Sequence, residues 1–322
     1  MRGVQCKPCK DCYEQHDPLF DPEGWSSTYA AVSCGARECR EFCSRNCSSS
    51  FDKYCRYEVS YGDQSRTVGS LARDTPALTP TAAVPGFMFG CGHRDAGVFG
   101  EVDGLVGLGR GKASLISQVV ARYEAGFSYC LPSSPSTVGY LTFGGAASAP
   151  ENAQFTAMVT GQQDASFYYL NLTGVKVAGR AVKAPPAAFA SAAGTIIDSG
   201  TAFSRLPPRA YAALRSSFRR AMGRRYRRAP APAPFDTCYD LAGHEAVRVP
   251  SVALLFGDGA TVDLDPSGVL YAWDSVSQAC LAFAPNPDAA SLGVLGNVQQ
   301  RTLAVVYDVG NQKIGFGARG CA

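Results

Sequence analysis

GTIIDSGTAFSRLP, residues 194–207, sets Asp198 directly after the β-branched pair Ile196–Ile197 and before Ser199 and Gly200. A short apolar strand that runs into a Ser-Gly turn delivers a carboxylate to a fixed place, either as a cap or for chemistry. No other Asp-Ser-Gly or Asp-Thr-Gly occurs in the 322 residues. If this carboxylate does chemistry as one of a pair, its partner motif is not in the sequence.

The surrounding composition is that of an ordinary globular chain, with 46% hydrophobic and 18% charged residues. At 322 residues it can bury one large core or two lobes of about 150 residues each. The net charge of +3, from 30 basic and 27 acidic residues, argues for neither a nucleic acid nor a membrane partner. No run of 18 apolar residues is present to span a bilayer.

Thirteen cysteines stand out, eight of them within the first 55 residues. The three histidines, His16, His93 and His244, show no paired spacing that would complete zinc sites. Cys6, Cys9 and Cys12 imitate the start of an iron–sulfur run, but the fourth cysteine is not at the required distance. Disulfides in an oxidising compartment are therefore expected, with no metal. The sequons at Asn46 and Asn171 agree with secretion. The opening MRGVQCKPCK has no apolar core of a signal peptide, so an incomplete N-terminus is expected.

Short β-rich runs bounded by Gly and Pro dominate the chain, among them GFMFGCG, GYLTFGG, FYYLNLTGVKVAG, SVALLFG, LAVVYDVG and KIGFG. Helical periodicity is confined to 112–126 and to 208–223, the latter opened by Pro207-Pro208 and closed by Gly223. The Ala, Pro, Asn and Gln-rich stretch 145–165 reads as a linker between a lobe at 1–144 and a lobe at 166–322.

A weak repeat supports two duplicated lobes: Gly104 to Gly107 reads GLVG, and Gly293 to Gly296 reads GVLG. Asp198 precedes Gly296 by 98 residues. The same offset counted back from Gly107, lengthened by the cysteine-rich insertion, places an equivalent carboxylate at or before Met1.

IIDSGTAFSRLP, FGCGHRDAGVFGEVDGLVGLGRGKASL, VSYGDQSRTVGSLARDT, VLGNVQQRTLAVVYDVGNQKIGFG and the cysteine spacing together resemble the pepsin-like aspartic proteases, in particular the plant nepenthesin-like branch. The likeness covers essentially the whole chain. It implies a mainly β, bilobal acid-protease fold of two pseudo-duplicated lobes with a few short helices, the first lobe truncated at its start. Val4-Gln5-Cys6 matches the strand that follows the family's first D-T-G-S, so that Asp is expected about five residues before Met1.

The resemblance makes Asp198 one member of a carboxylate dyad, supported by Ser199, Gly200 and Thr201. Two carboxylates at contact distance share one proton, so one acts as base toward water and the other as acid toward the scissile carbonyl; pepsin is the standard worked case. Gly200 fits where backbone amides approach the carboxylate. Tyr61, with Gly62-Asp63 as turn residues, corresponds to the flap tyrosine that closes over substrate. Asp11, Asp17 and Asp21 are followed by Cys12, Pro18 and Pro22 and lack the small-residue turn.

The family framework implies the pairs Cys6–Cys9, Cys12–Cys91, Cys34–Cys55, Cys39–Cys47, Cys130–Cys321 and Cys238–Cys280, with Cys43 left over. Sequence alone does not fix this connectivity. The basic run from Arg219 to Arg228, followed by APAPAP, reads as a solvated helix end entering an extended Pro-rich loop rather than an anion site. His93 and His244 have no nucleophile pattern beside them and read as surface or loop residues, and the absence of G-x-S-x-G leaves a serine hydrolase unsupported.

Two functions follow from the resemblance. One is a monomeric, cofactor-free acid endopeptidase of the secretory pathway or apoplast, acting on peptide or protein substrate in the cleft between lobes, with the chain as written inactive for want of its first Asp. The other is a catalytically silent binding protein of the same fold, like the cereal xylanase inhibitors.

Overall fold

The apolar runs bounded by Gly and Pro fold as strands, because alternate residues of each can be buried on one pleated face while the flanking turns supply the tight backbone. The structure is a computed structural model and describes residues 3–43, 47, 53–124, 126–144, 149–162, 164–275 and 277–321. The sequon at Asn46 and part of the 145–165 stretch lie outside the described residues; Asn171 is exposed. The chain divides into two units, Met1–Arg122 and Tyr123–Ala322.

The N-terminal unit is built on a six-stranded sheet ordered Ala30–Ala31, Arg66–Asp74, Phe87–Ala96, Gly3–Gln5, Gly104–Leu105, with Arg56–Ser60 paired to Arg66–Asp74. Strand Gly3–Gln5 runs parallel to Phe87–Ala96 on one side and antiparallel to Gly104–Leu105 on the other. Its core gathers Val32, Tyr57, Leu71 and Met88 around Cys39, Cys43 and Cys55.

The C-terminal unit carries a ten-stranded sheet. Its order is Tyr140–Phe143, Gly126–Cys130, Ala304–Asp308, Lys313–Gly317, Gln154–Val159, Tyr169–Leu170, Thr195–Ile197, Gly293–Leu295, Ser204–Leu206, Phe283–Pro285. Two four-stranded sheets complete it. One holds Leu172–Val177 and Val252–Phe256; the other is ordered Arg227–Ala229, Cys238–Asp240, Gln278–Leu281, Leu270–Ser275. Helix Pro208–Met222 starts on proline and stops at Gly223, whose φ of 65° is left-handed. It buries Ala210, Tyr211, Leu214, Phe218 and Met222, the i, i+4 face of an amphipathic helix. Helix Leu115–Tyr123 starts later than its periodicity suggests, because the Ser114 hydroxyl accepts from Ser117 N and caps the first turn.

By contacts alone the units part at Arg122–Tyr123, ahead of the 145–165 stretch. Strand Gly126–Cys130 pairs with Ala304–Asp308 along its whole length, and Tyr140–Phe143 pairs with it in turn. That hairpin is bonded into the C-terminal unit, and the Cys130–Cys321 disulfide fastens it there.

Four of the disulfides implied by family resemblance are differently connected. Cys6 joins Cys91 and Cys9 joins Cys12, in place of Cys6–Cys9 and Cys12–Cys91. The reason is register: Val4 lies opposite Cys91, and Cys6 N donates to Gly92 O, which sets the Cys6 and Cys91 Cα atoms 5.4 Å apart. Cys34 joins Cys47 and Cys39 joins Cys55, in place of Cys34–Cys55 and Cys39–Cys47. Ser33 pairs with Tyr54, so Cys34 and Cys55 are diagonal neighbours, a relation that usually exceeds disulfide reach. Helix Arg37–Phe42 instead turns Cys39 into the core with its Cα 5.6 Å from that of Cys55. Cys238 and Cys280 face each other across paired strands and are bonded, as are Cys130 and Cys321. Cys43 is a free, buried thiol.

Candidate active site around Asp198

Strand Thr195–Ile197 is buried at all three positions and runs parallel to Gly293–Leu295. At its end Asp198 N donates to Leu295 O at 3.1 Å, which holds the turn against the neighbouring strand. The carboxylate then receives one donor on each oxygen. Gly200 N donates to Oδ1 at 2.9 Å and Thr201 Oγ1 donates to Oδ2 at 2.6 Å. A Cβ at residue 200 would sit 3.2 Å from Asp198 Oδ1, so the smallest side chain suits the approach. These bonds orient an acceptor-only group and leave further lone pairs on both oxygens for water or substrate.

A second turn braces the first. After strand Gly293–Leu295, Asn297 N donates to Thr201 O at 2.7 Å, Val298 N to Ala202 O at 3.0 Å, and Asn297 Nδ2 to Ser199 O at 3.2 Å. Gly296 permits the crossing: a Cβ there would lie 2.8 Å from Ala202 O and Phe203 C. Beneath the crossing, Gln299 and Gln300 are 1% and 0% exposed and hydrogen-bonded through both side-chain ends. Gln299 Oε1 accepts from Ser204 N at 2.9 Å and Ser204 Oγ at 2.6 Å, while its Nε2 donates to Gly268 O and Ala282 O, each at 2.7 Å. Gln300 Nε2 donates to Leu295 O at 2.8 Å, and its Oε1 accepts from the Tyr129 hydroxyl.

Tyr129 and Tyr307 stand 3.2 Å apart at their hydroxyls, inside a cluster with Phe127 and Tyr168. Burial pushes both phenols well up, and the nearby Asp198 carboxylate adds to this. Both phenols are therefore neutral.

Of the residues singled out in the sequence, Asp198, Ser199, Gly200 and Thr201 form one turn. Tyr61 and Gly62 lie in the N-terminal unit, in the 61–65 loop of the hairpin between Arg56–Ser60 and Arg66–Asp74. Tyr61 N donates to Ser65 O, and Asp63 accepts from Ser65 N and Ser65 Oγ, both at 2.9 Å. The Tyr61 ring meets Phe99 edge-on with centroids 5.9 Å apart, and Tyr13 stacks on Phe99 at 4.8 Å. The competing aspartates are otherwise engaged: Asp21 caps helix Pro22–Trp25, Asp17 N is held by Asp103, and Asp11 faces Arg94 at 4.0 Å. His93 is on a strand rather than in a loop, between Ser70 Oγ and Pro8 O.

Sequence reasoning missed Asp95. It is 7% exposed on strand Phe87–Ala96, opposite Thr67 of the hairpin that carries Tyr61, and its Oδ2 has no hydrogen-bond partner. Burial raises its pKa. Adjacent cysteine sulfurs, Cys39, Cys47 and Cys55, could group around a metal by distance, but all three are consumed by disulfides.

The two units repeat one arrangement. Gly3–Gln5 lies between a parallel and an antiparallel neighbour, as Ser204–Leu206 lies between Phe283–Pro285 and Gly293–Leu295. Gly104–Leu105 thus corresponds to Gly293–Leu295. In the C-terminal unit the far side of that strand holds Thr195–Ile197 and Asp198; among the described residues the far edge of Gly104–Leu105 holds no strand.

A family model described as "Xylanase inhibitor N-terminal" matches residues 4–145, and "Xylanase inhibitor C-terminal" matches residues 167–318. An aspartyl protease family protein of Arabidopsis thaliana is 44% identical over 325 residues, spanning 100% of this chain and 68% of the relative. The chain belongs to the plant branch of the pepsin-like aspartic proteases. Aspartic proteinase nepenthesin-1 of Nepenthes gracilis, a further member, is 33% identical over 99% of this chain and 72% of its own length. The fold is also that of basic 7S globulin from soybean, at 21% identity and a TM-score of 0.75, covering 98% of this chain and 84% of that one. Lupine conglutin gamma gives a TM-score of 0.73 at 20% identity, covering 98% and 85%.

Proposed function

We propose that the protein is an acid endopeptidase in which Asp198 is one carboxylate of the catalytic dyad. The observation that carries this reading is the donor shell of Asp198: one hydrogen bond to each oxygen, at the end of a buried strand, in a chain of aspartic protease family. One carboxylate of the pair takes a proton from water as the oxygen adds to the scissile carbonyl, and the other, protonated, donates to the carbonyl oxygen. The resulting tetrahedral diol expels the amine as its nitrogen is protonated, and the C–N bond breaks. Tyr61, on the hairpin loop of the N-terminal unit, is the candidate flap residue.

The second carboxylate belongs on a strand against the outer edge of Gly104–Leu105, by the internal repeat. Asp198 precedes Arg205 by seven residues, and Arg205 corresponds to Gly3 in the repeat. We infer that hydrolysis by this dyad requires a second carboxylate beside Asp198, which no other Asp-Ser-Gly or Asp-Thr-Gly of the 322 residues supplies. Six disulfides support an oxidising compartment for the protein, the secretory pathway or the extracellular space.

The test is hydrolysis of acid-denatured globin at acid pH by the 322-residue chain and by a form extended with the residues its transcript encodes upstream. Cleavage by the extended form alone, blocked by pepstatin and lost in Asp198→Ala, is the expected result. Inactivity of a folded extended form would turn the reading to a silent binding protein. Cleavage by the 322-residue form would sink the assignment of the second carboxylate.

A further inference from the structure

Charge along the chain is unevenly spread. Residues 208–240 contain eight arginines and two aspartates, with no lysine or glutamate, a net charge of +6 in a chain whose total is +3. The remainder therefore carries −3. This segment folds as helix Pro208–Met222, a short loop and the edge strand Arg227–Ala229 paired to Cys238–Asp240. The Pro-rich loop expected after the helix begins at Pro230, once that short strand has ended.

Three of these arginines converge on Asp236, two on its carboxylate and one on its backbone carbonyl. Arg215 donates to Asp236 Oδ2, and Arg219 lies 3.6 Å from Oδ1. Arg219 spends its hydrogen bonds on neutral acceptors, Thr237 Oγ1 and Asp236 O. Arg228 does the same, donating to Cys238 O at 3.2 Å and Asp236 O at 3.0 Å while its guanidinium rests 5.4 Å over the Tyr239 ring. The backbone thus fixes the guanidiniums in place, and the cluster keeps a charge of +2 after Asp236 is counted. Crowding shows in Arg219, whose pKa is lowered by burial and by Arg228 and Arg215. Alongside, Arg220, Arg224 and Arg225 are exposed and meet no carboxylate among the described residues, and Arg227 reaches only Asp240.

We propose that this face of the C-terminal unit binds an acidic polysaccharide, a chain presenting carboxylates at repeated positions. Arginine rather than lysine at every basic position suits bidentate pairing with oxyanions. None of the exposed large apolar side chains lies between 208 and 240. A folded protein partner would need an apolar centre, a membrane would need an apolar anchor, and single-stranded nucleic acid would need aromatic stacking. A hydrated polyanion needs none of these. Its binding is independent of Asp198 and of the catalytic reading.

The experiment measures binding of the 322-residue chain to de-esterified polygalacturonate at low and high salt. Fully methyl-esterified polymer, polyglutamate and phosphatidylserine vesicles serve as comparisons. Binding to polygalacturonate is expected to be salt-sensitive, absent for the esterified polymer, stronger than for polyglutamate or vesicles, and unchanged in Asp198→Ala. Replacing Arg220, Arg224, Arg225 and Arg227 together by Ala should weaken it by about tenfold or more. Their replacement by Lys should retain part of it and guards against misfolding. Replacing Lys10, Lys53, Lys112 and Arg180 by Ala removes equal charge elsewhere and should change binding little. Equal weakening by the two alanine sets would overturn the site, as would preference for polyglutamate or vesicles.

Discussion

Thr201 Oγ1 stands 2.6 Å from Asp198 Oδ2, the shorter of the two bonds that orient this carboxylate. The bond spans a three-residue turn, so it couples the position of the carboxylate to the geometry of the loop that holds it. A hydrogen bond to an ionised partner contributes about 1.5–3 kcal/mol. Thr201→Val keeps the shape and removes the donor, and a loss of about 1 kcal/mol or more at neutral pH is expected by urea unfolding. Thr201→Ser should restore most of it. Equal losses in both variants would mean that the methyl group, not the hydroxyl, matters.

Gln299 satisfies four backbone and side-chain groups inside the C-terminal unit. Gln299→Leu leaves Ser204 N, Gly268 O and Ala282 O buried without this partner, each costing on the order of 1–3 kcal/mol. A loss of about 3 kcal/mol or more is expected in denaturant unfolding, far beyond that of Gln278→Leu, which breaks one exposed bond to Pro230 O. A change below about 1 kcal/mol would show that the crossing is held by its backbone alone.

Asp95 gives a pH-dependent term of definite sign. Its carboxyl is raised above the ordinary carboxylate range by burial, so the folded state favours the neutral form. The stability this contributes is complete below the ordinary range and is lost as pH rises through the raised value. Carboxylates held down by hydrogen bonds, such as Asp63 and Asp288, act in the opposite sense. The informative quantity is therefore the difference between the parent chain and Asp95→Asn. The variant should gain stability relative to the parent between pH 4 and pH 7, and hydrogen exchange in the 56–74 hairpin should slow at neutral pH. An invariant difference across that range would refute the assignment.

Thiol counting checks the disulfide map. Native protein should resist iodoacetamide, because Cys43 is buried and burial also raises its pKa, leaving little thiolate. Unfolding without reductant should expose one thiol per chain. Non-reducing peptide mapping should recover Cys34 with Cys47 and Cys39 with Cys55. Recovery of Cys34 with Cys55 would restore the connectivity that family resemblance implies.

The turn at Asp198 and the limits of helix Pro208–Met222 are local, and both are readable from short stretches of residues. A β-branched pair followed by Ser-Gly, or a proline pair answered by a glycine fifteen residues on, needs no partner to be interpreted. Disulfide pairing in the cysteine-rich segment is not local. Cys39 Sγ and Cys47 Sγ lie only 3.5 Å apart while bonded elsewhere, so spacing could not separate the alternatives. Which sheet accepts GYLTFGG was equally hidden, since the stretch reads the same in either. Gln299, Gln300 and Asp95 are polar residues whose burial depends on distant neighbours. The one signal for the glutamines was two adjacent amides following a glycine turn between apolar strands.

The hairpin at 126–143 finds its partner in residues 304–308, and Cys130 finds its own at Cys321. On a ribosome these residues emerge long before that partner exists. The 174 positions from Cys130 to Ala304 take about 9–35 s to synthesise. Through that interval Phe127 and Tyr129 lack the strand that buries them, and the Cys130 thiol is open to wrong partners. The last strands made are thus the ones that close the sheet. A chain stopped before Ala304 would leave the 126–143 hairpin without the strand it pairs with.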